Sequence, residues 1–318
     1  MTSYQRILVT GATGFVGHYL CAALAQRFPT ADRAFLRRPT DGAALAGWRS
    51  LDGDISDATA LAATVESLQP DLVAHLAAQS SVGASEQNPA ATWSVNAGGA
   101  LALVQALQRC SSPPLLFAIS SAEVFGASFS GGACDETTPA LPLNAYARSK
   151  LMAEEIFRDC HRGQLIIVRP FNHTGPGQDQ RFVLPAFAAQ IAAIENGRRD
   201  PVLHVGDLTA ERDFLDVRDV VAAYLALLEI ASELPQQSLF TVCRSEAYPL
   251  DSLVEELRRL STAAFEIVVD PGRLRRSPLP RAAGKADRLR DATGWAPQRS
   301  MTETLSNLLD YWRGQPSP

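Results

Sequence analysis

Thr10-Gly11-Ala12-Thr13-Gly14-Phe15-Val16-Gly17 stands between an apolar run at residues 6–10 and a stretch of helical spacing at 14–27. A glycine at the turn permits backbone angles closed to other residues. The next glycine lets the main chain approach a pyrophosphate, and the last lets the helix pack close to the sheet. The N–H groups and positive dipole end at the start of the helix then attract phosphate. A plain tight turn could use the same residues. Position decides: the motif follows a strand, opens a helix and lies near the start of the chain. Gly11, Thr13, Gly14, Phe15, Val16 and Gly17 are therefore the candidate contacts to a dinucleotide.

The alternation continues outward. Residues 34–36, 72–76, 115–120 and 165–169 read as short buried strands, with one more before Asp54. Residues 57–68, 90–109 and 145–160 read as helices, Asp57 lying in the first turn of its own. Regular β-α alternation predicts an α/β fold, a doubly wound parallel sheet with helices on both faces and right-handed crossovers. After Pro170 the rhythm changes, and residues 172–181 are rich in Gly, Pro and Asn. Helical patterns return at 184–196, 217–231, 249–260 and 301–313. This predicts a smaller C-terminal substrate-binding lobe. Residues 1–170 and 206–244 form the dinucleotide-binding domain, 171–205 and 245–318 the lobe. The last residues, 314–318, are expected to fray.

The 318 residues are 46% hydrophobic and 20% charged, ordinary for a globular chain with a large core. A net charge of -5 argues against a nucleic-acid surface, so an anionic substrate needs a local basic pocket. Cys21, Cys110, Cys134, Cys160 and Cys243 are odd in number and form no C-x-x-C pair. Reduced thiols in a cytoplasmic protein fit better than a disulfide framework, and neither cysteines nor histidines have metal-ligand spacing. The opening residues lead straight into a strand without a signal-peptide pattern, and no apolar run is long enough for a bilayer.

Phe35-Leu36-Arg37-Arg38 ends the second strand. An acidic residue there would hold the ribose 2′-hydroxyl of NAD, whereas arginine suits a 2′-phosphate. NADP, used as NADPH, is favoured over NAD, with a solvated charge pair as the bland alternative for Arg37 and Arg38. Asp54 and Ile55 are placed to meet the adenine edge. Leu76, Ala77 and Ala78 end the fourth strand beside the glycine turn, where small residues let a cofactor pass.

Tyr146-Ala147-Arg148-Ser149-Lys150 puts a tyrosine and a lysine on one helix face. Ser120-Ser121 closes a strand earlier in the chain. A phenol has a pKa of about 10 in water, and a neighbouring ammonium with the nicotinamide's charge is expected to lower it. The serine can then hold a substrate oxygen while the tyrosine moves the proton. Alone, Y-x-x-x-K is weak, since a core tyrosine and a surface lysine produce it by chance.

Joined to the glycine turn and the strand-end serine in this order, the motif resembles the extended short-chain dehydrogenase/reductase family, with its Rossmann fold. The resemblance implies Ser121, Tyr146 and Lys150 as the catalytic set, with hydride passing between nicotinamide and a sugar carbon. It implies Asn96 and Phe171 at the cofactor, Asn96 supporting the geometry. Arg169-Pro170-Phe171-Asn172-His173-Thr174-Gly175-Pro176-Gly177-Gln178, Gly206 through Val217 and Thr293-Gly294-Trp295-Ala296-Pro297 are similar to GDP-mannose 4,6-dehydratases and, more closely, GDP-4-keto-6-deoxy-mannose reductases. That likeness implies a GDP-linked sugar held by Gln79, Ser80, Ser121, Glu123, Asn172 and Arg181. Phe182 and Val183 would lie near the base. Arg212 would bind phosphate, or pair as a surface ion beside Asp213. One of Arg275 and Arg276 would bind phosphate too. Guanidinium groups suit a diphosphate because they bind it in two-pronged fashion.

Glu123 is read two ways. In sugar 4,6-dehydratases a glutamate there removes a proton, but those enzymes usually carry Thr where this chain has Ser121, and often a polar residue in place of Ala122. Its other role is hydrogen bonding to sugar hydroxyls or backbone. Phe125 replaces the more usual tyrosine of that motif. His173 is either a proton relay or a hydrogen-bonded structural residue. Reduction of a 4-keto-6-deoxy sugar, giving GDP-D-rhamnose or a related GDP-6-deoxyhexose, is the expected activity. The alternative is a 4,6-dehydratase or 4-epimerase with tightly bound NAD(P). A binding protein that keeps the fold without chemistry is the third reading. The resemblance also implies a homodimer, pairing helices 90–109 and 145–160 in a four-helix bundle.

Overall fold

The computed structural model describes residues 2–38, 44–273 and 279–315. Strand β1 (Arg6–Thr10) passes through the glycine turn into α1 (Phe15–Arg27), β2 (Asp32–Arg37), β3 (Arg49–Asp52), α2 (Ala58–Leu68) and β4 (Leu72–His75). Helices α3 (Val82–Gln87), α4 (Pro89–Trp93) and α5 (Gly99–Leu107) precede β5 (Leu115–Ile119), α6 (Ala145–Cys160) and β6 (Leu165–Pro170). Then come β7 (Asn172–Thr174), α7 (Val183–Glu195), β8 (Val202–Val205), β9 (Glu211–Asp216), α8 (Val217–Glu229) and β10 (Gln237–Val242). The chain closes with β11 (Ala247–Pro249), α9 (Leu250–Leu260), β12 (Glu266–Val269), β13 (Arg281–Ala282), α10 (Asp287–Thr293) and α11 (Met301–Arg313).

Seven of the described strands make one parallel sheet in the order β10-β6-β5-β4-β1-β2-β3. Its inner strands are apolar runs buried on both faces, as a helix-covered parallel sheet requires. On one face Leu20 and Leu24 of α1 and Tyr224 of α8 pack with Phe117. On the other, Leu61 and Val65 of α2, Leu103 of α5 and Phe157 of α6 form a second core. A third core joins Leu184 and Phe187 of α7, Leu253 of α9 and Leu305 of α11. Strand β1 lies between β2 and β4, so the order of strands reverses beside it. The crevice at the carboxyl ends of such strands is where α/β sheets take ligands.

Three expectations are corrected. The helix expected over 90–109 is broken: α4 starts under an Asn88 cap, a π turn occupies Ser94–Gly98, and α5 follows. The extra residue of the π turn accompanies an inward Asn96, whose polar atoms bond elsewhere in the core. Strand β7 pairs with β9 where a loop was expected. Helix α10 was not expected at all, because Ala286 at its start offers no side-chain cap; Gly294, at φ 69°, ends it. No helix among the described residues is long and apolar enough to cross a membrane.

Candidate active site

The glycine turn is held against the end of β4. Gly11 has φ 76°, and a Cβ there would lie 2.6 Å from Ala77 N, so no larger residue fits. Thr10 Oγ1 accepts from Ala77 N at 3.3 Å and is hydrogen-bonded to His75 Nδ1 at 2.8 Å. Burial and then the Lys150 charge hold the His75 imidazole down at about 3, so it is neutral. Gly14 gives α1 no side-chain cap and the first turn has no acidic residue, which leaves its N–H groups to an anion. This turn opens into a cavity of about 620 Å³ lined by Gly11, Thr13, Gly14, Phe15, Val16 and Gly17. The donor set and the uncapped helix fit a dinucleotide pyrophosphate.

Arg38, Asp54 and Ile55 line the same cavity, as do Leu76, Ala77 and Ala78. The two arginines part company. Arg37 stands opposite Asp52 in the β2–β3 register and its guanidinium reaches that carboxylate at 3.1 Å. Arg38, one residue on and exposed, is the arginine on the cavity wall.

Ser121, Glu123, Tyr146 and Lys150 also line the cavity. Asn144 caps α6, its Oδ1 accepting from Ala147 N at 2.8 Å, which sets the first turn from which Tyr146 and Lys150 project. Lys150 Nζ donates to Ile119 O at 2.5 Å. Burial pulls the ammonium down to about 8, with Glu154 working against it. The lowering expected from the neighbouring ammonium is not met among the protein's own groups: burial pushes Tyr146 up to about 12, a Ser121 hydrogen bond opposes this, and the Glu123 charge adds to it. Desolvation of the phenolate therefore outweighs what the protein's own charges do. Ser121 Oγ also accepts from Glu123 N at 3.2 Å. Burial raises the Glu123 carboxyl, while Arg212 and a side-chain hydrogen bond from Asn144 hold it back.

Beneath lies a buried ionic network that sequence reasoning missed. Glu154, 1% exposed, accepts from Arg169 Nε at 2.9 Å and Nη2 at 2.8 Å. It also accepts from Ser120 Oγ and, at 2.9 Å, from Arg158. The Arg169 guanidinium lies 4.9 Å from the Phe125 ring centroid. The phenylalanine that replaces a polar tyrosine thus covers a cation. The signal was available in principle, since Glu154 follows Lys150 by one helical turn.

Other expected site residues divide. Phe171, Asn172, Arg181, Phe182, Val183 and Ser80 line the cavity. Asn96 does not: its Oδ1 accepts from Gln79 N at 2.8 Å and its Nδ2 donates to Ser149 Oγ at 2.9 Å. It braces α6 against the segment after β4. Gln79 is likewise off the wall, its side chain bonded to Ser81. Arg212 donates to Glu211 O at 2.7 Å and Leu279 O at 3.0 Å, and its charge reaches Glu123 from outside the lining. Arg275 and Arg276 lie outside the described residues. His173 lines the cavity, donates from Nδ1 to Phe171 O at 2.9 Å, and is held below its usual pKa by burial. Gln178 and Tyr224 are wall residues that were not foreseen as site residues.

Residues 7–243 match the NAD dependent epimerase/dehydratase family. The chain is 36% identical to GDP-6-deoxy-D-mannose reductase of Pseudomonas aeruginosa over 322 residues, covering 98% of each. It is 26% identical to GDP-6-deoxy-D-talose 4-dehydrogenase of Aggregatibacter actinomycetemcomitans, covering 91% of this chain and 92% of that one. Among solved structures, RMD from Pseudomonas aeruginosa complexed with NADPH superposes with TM-score 0.81 at 34% identity, covering 97% of this chain and 99% of the other. UDP-glucose 4-epimerase of Thermus thermophilus in complex with NAD gives 0.83 at 25%, covering 98% and 99%. With the glycine turn, the reversal beside β1 and a cavity shared by serine, tyrosine and lysine, the chain belongs to the NAD dependent epimerase/dehydratase family.

Proposed function

We propose that the protein uses NADPH to reduce the C4 keto group of a GDP-linked 4-keto-6-deoxyhexose, giving GDP-D-rhamnose or a related GDP-6-deoxyhexose. One observation carries the reading: a single cavity has the glycine turn on its wall together with Ser121, Tyr146 and Lys150. The likeness to the Pseudomonas reductase supplies the substrate class.

Gly11 to Gly17 would hold the pyrophosphate, Arg38 the 2′-phosphate, and Ile55 the adenine edge. A bound reduced nicotinamide supplies the hydride. Ser121 Oγ and Tyr146 Oη hold the carbonyl oxygen between them. A phenol pushed up to about 12 is protonated at neutral pH, the form needed to donate a proton to the oxygen as it becomes an alkoxide. Lys150 anchors beside it through Ile119 O. Asn172 and Arg181 would hold the diphosphate, and Glu123 the sugar hydroxyls. Loss of NADPH absorbance on adding GDP-4-keto-6-deoxymannose tests the proposal, with Tyr146→Phe as the control expected to be slower by about 10²- to 10⁴-fold. No consumption with any keto-sugar nucleotide would overturn it.

Glu123 on the cavity wall favours one second reading, a 4,6-dehydratase or 4-epimerase. Conversion of GDP-mannose without added reductant would select it. We further propose the two-lobe division at residues 1–170 with 206–244 and 171–205 with 245–318. A homodimer through α5 and α6 is part of the same reading, since Leu101 and Met152 stand exposed on them. Light scattering of Met152→Glu, expected to be monomeric, tests it. All five cysteines are free thiols, which suits a cytoplasmic enzyme.

A further inference from the structure

Three consecutive residues at the end of β5 each engage α6. Ile119 O accepts from Lys150 Nζ. Ser120 Oγ donates to Glu154 Oε1. Ser121 is hydrogen-bonded to the Tyr146 phenol. Tyr146, Lys150 and Glu154 stand four residues apart, so their side chains leave one face of the helix. Ala153 and Phe157 pack α6 on the sheet. Apolar contact has no direction and tolerates a small slide or rotation that hydrogen bonds do not. The Glu154 carboxylate is itself fixed from β6, Arg169 donating to both of its oxygens at 2.9 and 2.8 Å, while Arg158 adds a bond at 2.9 Å. Burial works to raise that carboxyl, but the bonds from Arg169 and Ser120 hold it below the usual carboxylate range. It is therefore ionised and can only accept, so the Ser120 hydroxyl is the donor.

We propose that Ser120 is a positioning residue: its bond to Glu154 sets the Ser121 hydroxyl at its working distance from the Tyr146 phenol. This rests on the reading above in which Ser121 and Tyr146 hold the substrate oxygen between them. The path of the chain shows what the bond does. Ser120 N donates to Val168 O at 2.8 Å, one residue past the end of β5. Ser121 then leads out of the sheet, its Oγ accepting from Glu123 N at the head of a 3-10 turn over Ala122–Phe125. The catalytic serine thus stands on the bend between strand and turn. The buried side chain just before it is bonded to the helix that carries the tyrosine. Ser120 also borders the cavity, but its hydroxyl proton is committed to Glu154. Without that bond the bend and α6 can shift against each other, and a displacement of about 1 Å at a reacting oxygen costs about 10²-fold in rate.

NADPH consumption with GDP-4-keto-6-deoxymannose, followed in full-length Ser120→Ala beside wild type, tests this. The kcat should fall about 10- to 10²-fold. NADPH affinity, read by fluorescence titration, should stay within about twofold, because Glu154 keeps its bonds to Arg169 and Arg158 and the glycine turn lies on another strand. That unchanged affinity also certifies folding. Ser120→Cys keeps the shape with only a weak donor, should follow the same pattern, and serves if the alanine variant does not fold. In a Ser121→Ala background, whose residual turnover is the baseline, Ser120→Ala should cost less than about twofold, since a residue that acts through Ser121 then has nothing to position. An unchanged kcat in Ser120→Ala, or the same loss with and without Ser121, overturns the inference. So does a loss of NADPH affinity in place of kcat, which would make Ser120 a cofactor contact. A wild-type protein that consumes no NADPH with any keto-sugar nucleotide would instead sink the reductase reading. The same variants are then compared on GDP-mannose conversion, where the same serine and tyrosine act.

Discussion

Replacing Lys150 by methionine removes an ammonium that the fold holds away from water. Burial takes its pKa from 10.5 to about 8. At about 1.4 kcal/mol per pH unit, the native state carries a penalty of about 3 kcal/mol for keeping that group charged. Below pH 8 both folded and unfolded chains are protonated, so the penalty is fully present. Between pH 8 and 10.5 the unfolded chain holds the extra proton, and stability rises with pH. Above 10.5 the group is neutral in both states and the penalty is gone. Methionine fills similar space but leaves Ile119 O without the ammonium, which costs about 1 kcal/mol. Lys150→Met should therefore gain about 2 kcal/mol at pH 7 and fall about 1 kcal/mol behind wild type near pH 10.5. Urea denaturation at pH 7 and pH 10.5 reads both values, and turnover should be lost throughout. A variant less stable than wild type at pH 7, or a difference that does not move with pH, would refute the reasoning.

Arg169→Met removes two of the bonds to a carboxylate that is 1% exposed. Leaving that anion poorly paired should cost about 3–5 kcal/mol in urea unfolding, and adding Glu154→Leu should restore most of it. Arg38→Ala should raise the KM for NADPH about tenfold and leave that for NADH unchanged, whereas Arg37→Ala, whose guanidinium is on Asp52, should change neither by more than about twofold. Gly11→Ala forces a side chain into φ 76° and within 2.6 Å of the Ala77 backbone. It should destabilise the chain by at least about 1–3 kcal/mol and weaken dinucleotide binding, both read by thermal shift with and without NADPH.

The parallel sheet and the glycine turn were legible because apolar runs, helical spacing and glycine all act locally. The shared helix face of Tyr146 and Lys150 was legible for the same reason. What depended on distant partners was not. Glu154 reads as one more charge on α6 until β6 brings Arg169 against it, 15 residues on in sequence. The division of labour between Arg37 and Arg38 follows from the pairing of Arg37 with Asp52 across β2 and β3, a register no single strand reveals. The fall in Tyr146 acidity was misjudged because charges are visible in a sequence and desolvation is not. The π turn that commits both ends of the Asn96 amide to Gln79 and Ser149 has no local signal.

The ion cluster of Ser120, Glu154 and Arg169 has a consequence for how the enzyme meets its surroundings. Mobile counterions shield charges that face water, over about 8 Å at physiological ionic strength, but they do not reach a carboxylate buried where α6 meets β6. Arg38 and Arg181 face solvent and feel that shielding. If these arginines hold the anionic ligands as proposed, added salt should loosen that capture while leaving the scaffold under Lys150 untouched.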